Sequence, residues 1–194
     1  IHAGILNKRE KKSHLNNLKD HNFENIDLVI VNFYPFENTL TSTKNHKKIL
    51  ENIDVGGPTM VRSAAKNYND VTIITSPNQY EELIQELKRY KGATSLNFRE
   101  KLSGIAFAET AYYDSVISNY FNKKTNTTFP KKKVFHGNLI AQLRYGENPH
   151  QFSAIYSTNT NTNLNQIHGK HLSYNNYNDI FSALTISKSL PKNK

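Results

Sequence analysis

The chain has 194 residues, a formal net charge of +9, 37% apolar residues and no cysteine. This length holds one good core, or one domain and part of another; no apolar run approaches the ~20 residues of a membrane-spanning helix, and without Cys there are no disulfides, no thiolate catalysis and no Cys-type zinc site, which fits a soluble, cytoplasmic protein. The excess Lys and Arg is scattered, with short clusters only at Lys8-Arg9-Glu10-Lys11-Lys12 and Lys131-Lys132-Lys133, a pattern that argues against a nucleic-acid stripe and fits solvated faces or attraction for phosphorylated metabolites.

The chain opens at Ile1 with no leader pattern and no initiator Met, which reads as a truncation. Ile26–Val31 is a β-branched run of the kind found in strands buried on both faces, and Pro35 ends it. A helix is predicted over Lys47–Asn52. The stretch Asn52-Ile53-Asp54-Val55-Gly56-Gly57-Pro58-Thr59-Met60-Val61-Arg62-Ser63-Ala64-Ala65-Lys66-Asn67 then sets an acid, two glycines, a helix start and two cations in order. Gly56 and Gly57 permit close approaches that a side chain forbids. Pro58 suits the first helical position, so a helix is expected from about residue 58, its free N–H groups turned to a phosphate, a carboxylate or a developing oxyanion. Val61, Ala64, Ala65 and Tyr68 follow a buried helical stripe, with Arg62 and Lys66 spaced i,i+4 on a neighbouring face. The same residues also fit an ordinary turn and a helix with exposed cations, with Asp54 as its cap.

Val71–Thr75 is a second strand, followed by helices over Gln79–Tyr90 and about Leu96–Phe121. Strands alternating with helices imply an α/β domain with a mainly parallel sheet, and functional groups in such sheets gather beyond the carboxyl ends of the strands, where Asn32 and Tyr34 fall. Asn122–Pro130 is polar and turn-rich, and a linker follows. Beyond it come a strand at Ala154–Tyr156, a polar loop at Thr158–Asn165 and an amphipathic helix at Asp179–Leu190, together too short for another large core and so the beginning of a second domain.

Three separated motifs, Val31-Asn32-Phe33-Tyr34-Pro35-Phe36, the Asp54 to Asn67 segment and Leu143-Arg144-Tyr145-Gly146-Glu147-Asn148-Pro149-His150-Gln151, stand in the order seen in the bifunctional purine-biosynthesis enzymes that join AICAR transformylase to IMP cyclohydrolase, and the chain resembles that family along nearly its whole length. The resemblance implies a cyclohydrolase domain over 1–130 with a methylglyoxal-synthase-like α/β fold, a linker at 131–143, and over 144–194 the start of a cytidine-deaminase-like transformylase domain. It implies Tyr34, Asp54 and Lys66 as catalytic groups in the cyclisation of formyl-AICAR to IMP. Asn32, Val55, Gly56, Gly57 and Arg62 are then substrate-binding, the loop acting largely through main-chain groups, and Arg144, Tyr145 and Asn175 hold AICAR. It further implies 10-formyltetrahydrofolate as co-substrate, no metal, no nucleic-acid or membrane partner, and a homodimer at full length. His2 matches the end of a longer motif whose catalytic lysine and phosphate loop lie upstream, and the lysine–histidine pair for formyl transfer is expected beyond Lys194. The 194 residues by themselves are therefore expected to turn over neither substrate. His150 is read as a turn residue.

Two other classes compete. A stand-alone methylglyoxal-synthase-like module that binds a phosphorylated metabolite has no use for the Arg144 to Gln151 motif. A basic nucleic-acid binder predicts salt-sensitive binding to random DNA.

Overall fold

The computed structural model describes residues 1–158 and 164–191, so most of the predicted 158–165 loop and the last three residues lie outside the described residues. It divides into two units, Ile1–Val134 and Phe135–Lys194.

In the first unit the two β-branched runs form short parallel strands, β1 (Leu28–Ile30) and β2 (Thr72–Ile74), in register Val29 to Ile73. The ladder runs on past β1 through Val31 N–H to Ile74 O. Against them pack α5 (Gly56–Lys66) and α7 (Leu96–Lys124), and the core is Ile5, Val29, Val61, Ala64, Ala65, Val71, Ile73, Ile74, Leu83, Phe98, Leu102 and Ala106. Ala64 and Ala65 are fully buried, and at their level Ser103 Oγ of α7 donates to Ala65 O at 2.8 Å. Small residues let two helix backbones approach closely enough for that bond. A second cluster of Phe36, Ile49, Tyr113 and Val116 lies further along α7. α6 (Tyr80–Arg89) carries Glu81 and Glu82 in its first turn and Lys88 and Arg89 in its last, each sign matched to the helix dipole. Ser95 opens α7 by accepting from Phe98 N–H.

Most of the other elements have no strong sequence signature. α1 (His2–Leu6) is tied at its end by Asn67 Nδ2, which donates to Ile5 O and Asn7 O at 2.9 and 3.0 Å. α2 (Lys12–Asp20) buries a single side chain, Leu18, and α3 (Phe36–Ser42) buries only Phe36. α4 (His46–Glu51) falls one residue from its predicted span.

In the second unit β3 (Asn138–Gln142) pairs antiparallel with β4 (Ala154–Ser157), with a register shift between Leu139 and Ala141. The sequence reading put Asn138–Gln142 inside the linker; the structure makes it a strand, because its partner lies in the following segment. α8 (Tyr174–Ser189) starts five residues before its predicted onset, because Ser173 and Asn176 form a reciprocal cap.

Candidate functional site

The carboxyl ends of β1 and β2 open on a cavity of about 350 Å³ lined by Asn32 and Tyr34 after β1, Thr75 and Pro77 after β2, and Glu109 and Tyr113 of α7 among others. Asn32 and Tyr34 thus stand where a parallel sheet predicts functional groups. Tyr34 is 56% exposed, so it faces the opening and is not a core plug, whereas its neighbours Phe33 and Phe36 pack inward.

Asp54 sits in the short connection between α4 and α5. Its Oδ1 accepts the Gly57 N–H at 2.8 Å, and its own N–H donates to Tyr113 Oη at 2.9 Å. α5 begins at Gly56, two residues before the expected start, so Pro58 is its third residue. This narrows the expected anion site. Of the first-turn N–H groups, that of Gly57 is taken by Asp54, that of Thr59 by Val55 O, and Pro58 has none. The protein's own carboxylate takes one of the N–H groups foreseen for a ligand anion. The two glycines also differ from the expectation. A Cβ on Gly57 would run into the Asp54 carboxylate, whereas one on Gly56 would meet open space, and neither has a positive φ. Close approach is thus a requirement at Gly57 alone.

Lys66 lies in the last turn of α5 and is exposed. Ten residues along a helix from Gly56 is about 15 Å, so the structure does not bring the Lys66 backbone beside Asp54. Arg62, one turn earlier, stacks its guanidinium over the Phe107 ring at 5.7 Å, and Val55 is 73% exposed at the mouth of the helix.

Three cavity residues escaped the sequence reading. Tyr113 is buried, and burial pushes its phenol above the ordinary value; the bond from the Asp54 N–H opposes this, while the Asp54 and Asp114 charges add to it. It keeps its proton at neutral pH. The Glu109 carboxyl is raised by desolvation first and by the charge of Glu37 second. Tyr112 Oη donates to Glu37 Oε1 at 2.9 Å. Nothing in their local sequence separates these residues from the rest of a long aromatic-rich helix.

In the second unit the structure gathers the three predicted binding residues. Arg144 N–H donates to Leu172 O and Tyr174 N–H to Tyr145 O, each at 3.2 Å, which docks the motif on the start of α8. The Arg144 guanidinium lies 5.2 Å from the centre of the Tyr145 ring, and Asn175 Nδ2 donates to Glu147 O at 3.3 Å. A tight turn follows, with Gly146 N–H bonded to Gln151 O and Asn148 N–H to Gln151 Oε1, both at 2.8 Å. His150 is exposed within it. Among the described residues no group of three or more His, Cys, Asp or Glu side chains is placed to hold a metal ion.

Parallel strands that end on a cavity, with helices packed against them, define an α/β protein. The family model described as AICARFT/IMPCHase bienzyme matches residues 64–194. The bifunctional purine biosynthesis protein PurH of Bradyrhizobium diazoefficiens is 44% identical over 187 residues, which cover 94% of this chain and 35% of that protein. Its counterpart in Clostridioides difficile is 44% identical over 192 residues, covering 97% and 37%. The crystal structure of ForH aligns with a TM-score of 0.54 at 28% identity, over 62% of each chain. The chain belongs to the AICARFT/IMPCHase bienzyme family. It spans little more than a third of the length of the curated relatives it matches.

Proposed function

We propose that the chain contributes to the last two steps of IMP synthesis: formyl transfer from 10-formyltetrahydrofolate to AICAR, then cyclisation of formyl-AICAR to IMP with loss of water. The first unit is read as the cyclohydrolase domain, methylglyoxal-synthase-like and covering about 1–130, and the residues from about 144 as the opening of a cytidine-deaminase-like transformylase domain. The observation that carries this reading is the Asp54 carboxylate, held by Gly57 N–H and, through its own main chain, by a cavity-lining tyrosine at the ends of the parallel strands. The family match, which runs across both units, counts against a stand-alone metabolite-binding module.

Cyclisation joins the carboxamide nitrogen to the formyl carbon. The amide N–H must lose a proton as the formyl oxygen becomes an oxyanion, and that oxygen must then gain protons to leave as water. Asp54 is assigned to the nitrogen's proton: Oδ1 is held by Gly57 and Oδ2 stays available. Lys66 is assigned to the proton supply for the oxygen, and Tyr34, exposed at the cavity mouth, to the relay between them. Asn32, Val55, Gly56, Gly57 and Arg62 are assigned to the nucleotide. In the second unit a guanidinium fork suits a phosphate and a tyrosine ring flanks a flat base, which assigns Arg144, Tyr145 and Asn175 to AICAR. None of the three is assigned to the folate. At family length we infer a cytoplasmic homodimer with no nucleic-acid or membrane partner; among the described residues no helix is long and apolar enough to cross a membrane.

The test uses a polypeptide carrying this chain at the length of its relatives. Asp54→Asn or Lys66→Ala lowers the cyclisation rate by roughly 10²–10⁴ and spares formyl transfer. Arg144→Lys, which keeps the charge and loses the fork, weakens AICAR binding by about 1–3 kcal/mol and leaves cyclisation intact. Both rates falling together in a folded Asp54 or Lys66 variant refutes the assignment.

A further inference from the structure

The assignment of Asp54 raises a question of precision. A proton acceptor has to sit within about 0.5 Å of its productive place, yet Asp54 lies in a short irregular connection between α4 and α5. Its carboxylate is fixed to α5 by Gly57 N–H, but that contact spans three residues and moves with the loop. The connection's next bonds, from Asn52 N–H to Ile49 O and from Ile53 N–H to Leu50 O, are equally local. The bond from Asp54 N–H to Tyr113 Oη is different: it reaches 59 residues along the sequence to the longest helix of the unit. Tyr113 is itself held. It is 6% exposed, and its ring lies 5.1 Å from Phe33 and 6.0 Å from Phe36, the residues that flank Tyr34 and Pro35.

We propose that Tyr113 is a positioning residue for Asp54: its hydroxyl on α7 grips the Asp54 main chain and so fixes the carboxylate relative to the cavity wall that carries Asn32 and Tyr34. The inference deepens the assignment of Asp54 to cyclisation and rests on that reading for its catalytic consequence. Its physical content stands apart, because an N–H held by a rooted phenol is a constraint whatever the carboxylate does. The Tyr113 phenol suits the task, since burial keeps it neutral and a neutral hydroxyl accepts a main-chain N–H while avoiding a second negative charge next to Asp54.

The experiment follows the Asp54 amide of the 194-residue chain by NMR hydrogen exchange, because that N–H donates to Tyr113 Oη. Tyr113→Phe keeps the ring packing and removes only the acceptor. The expected result is exchange at Asp54 about tenfold faster, roughly the worth of one hydrogen bond, with the remaining amide spectrum preserved. Tyr120→Phe, which deletes another hydroxyl from the same helix, one bonded to His46 Nδ1 at 2.7 Å, leaves exchange at Asp54 unchanged. In the unmodified chain, the Asp54 amide exchanges with solvent more slowly than that of Val55, a measurement that does not depend on any variant folding. At family length Tyr113→Phe lowers kcat for cyclisation about tenfold, roughly the worth of one hydrogen bond, with KM held. Unchanged exchange at Asp54 in Tyr113→Phe, or equal exchange at Asp54 and Val55 in the unmodified chain, overturns the proposal. Faster exchange at Asp54 with unchanged kcat upholds the grip and sinks the catalytic reading of Asp54, which Asp54→Asn checks on its own.

Discussion

The two units solve the problem of burial differently. Every buried apolar side chain among the described residues belongs to the first unit, from Ile5 to Val116, while Phe152, Ile167, Phe181, Ile186 and Leu190 of the second unit are between 48% and 105% exposed. α8 has no buried residue at all, yet it is capped at its start and hydrogen-bonded to the Arg144 motif. Local signals of capping and turn formation can therefore specify a helix, a hairpin and a tight turn without a core, but they supply little free energy. The first unit has both local signals and a packed interior, and its cavity inherits that rigidity.

The sharpest way to break this contrast is amide exchange on the 194-residue chain. Amides of α5 and α7 are expected to exchange only through global opening, with protection approaching the ~5–15 kcal/mol of a stable domain. Those of α8 are expected to open independently within about 2 kcal/mol of no protection, and the exposed apolar face of that helix to promote association at high concentration. Equal protection in α5 and α8 would mean that the second unit is stabilised by something other than its own packing.

A smaller effect comes from deleting the same side chain in each unit. Leu102 is 1% exposed in the first core and Leu184 is 38% exposed on α8. Leu102→Ala is expected to cost about 2–5 kcal/mol in urea unfolding followed on first-unit amides, and Leu184→Ala to stay within ~0.5 kcal/mol. A comparable loss from both would place Leu184 in a core.

How far the sequence shows all this depends on whether the signal is local. β1, β2, α5, α6 and α7 were legible because each carries a β-branched run or a helical apolar stripe. α2 and α3 were not, since each buries one side chain and owes its shape to the elements around it. β3 was missed because Asn138–Gln142 carries no β-branched run of its own, and only its later partner β4 showed in the sequence. At the site, Asn32 and Tyr34 were legible from the rule that parallel sheets bind beyond their strand ends. Gly57 was legible as a close approach, but what approaches it is Asp54, and that needed the coordinates. Tyr113 was invisible for a plainer reason, as its partner lies 59 residues away and nothing in a helix pattern tells a core tyrosine from one that grips a loop.

The smallest expected effect concerns what the cavity costs the unit that carries it. Desolvation, and then the charge of Glu37, hold the folded Glu109 pKa above its ordinary value of 4.5. In the window between the two values the native state binds more protons than the unfolded chain, so stability falls as pH rises through it, and the penalty is complete above the folded pKa. Glu109 keeps much of its surface in water, so solvent screening reduces the effect. Glu109→Gln is accordingly expected to be more stable than the parent at neutral pH, with the difference vanishing below pH 4.5, the sign opposite to that of a salt-bridged carboxylate. Glu37→Gln should shrink the difference without removing it, because desolvation is the larger cause. Urea unfolding of the parent, the two single variants and the double variant at both pH values measures this, and a Glu109→Gln variant equal to the parent at neutral pH would show that the cavity carboxylate is already fully solvated.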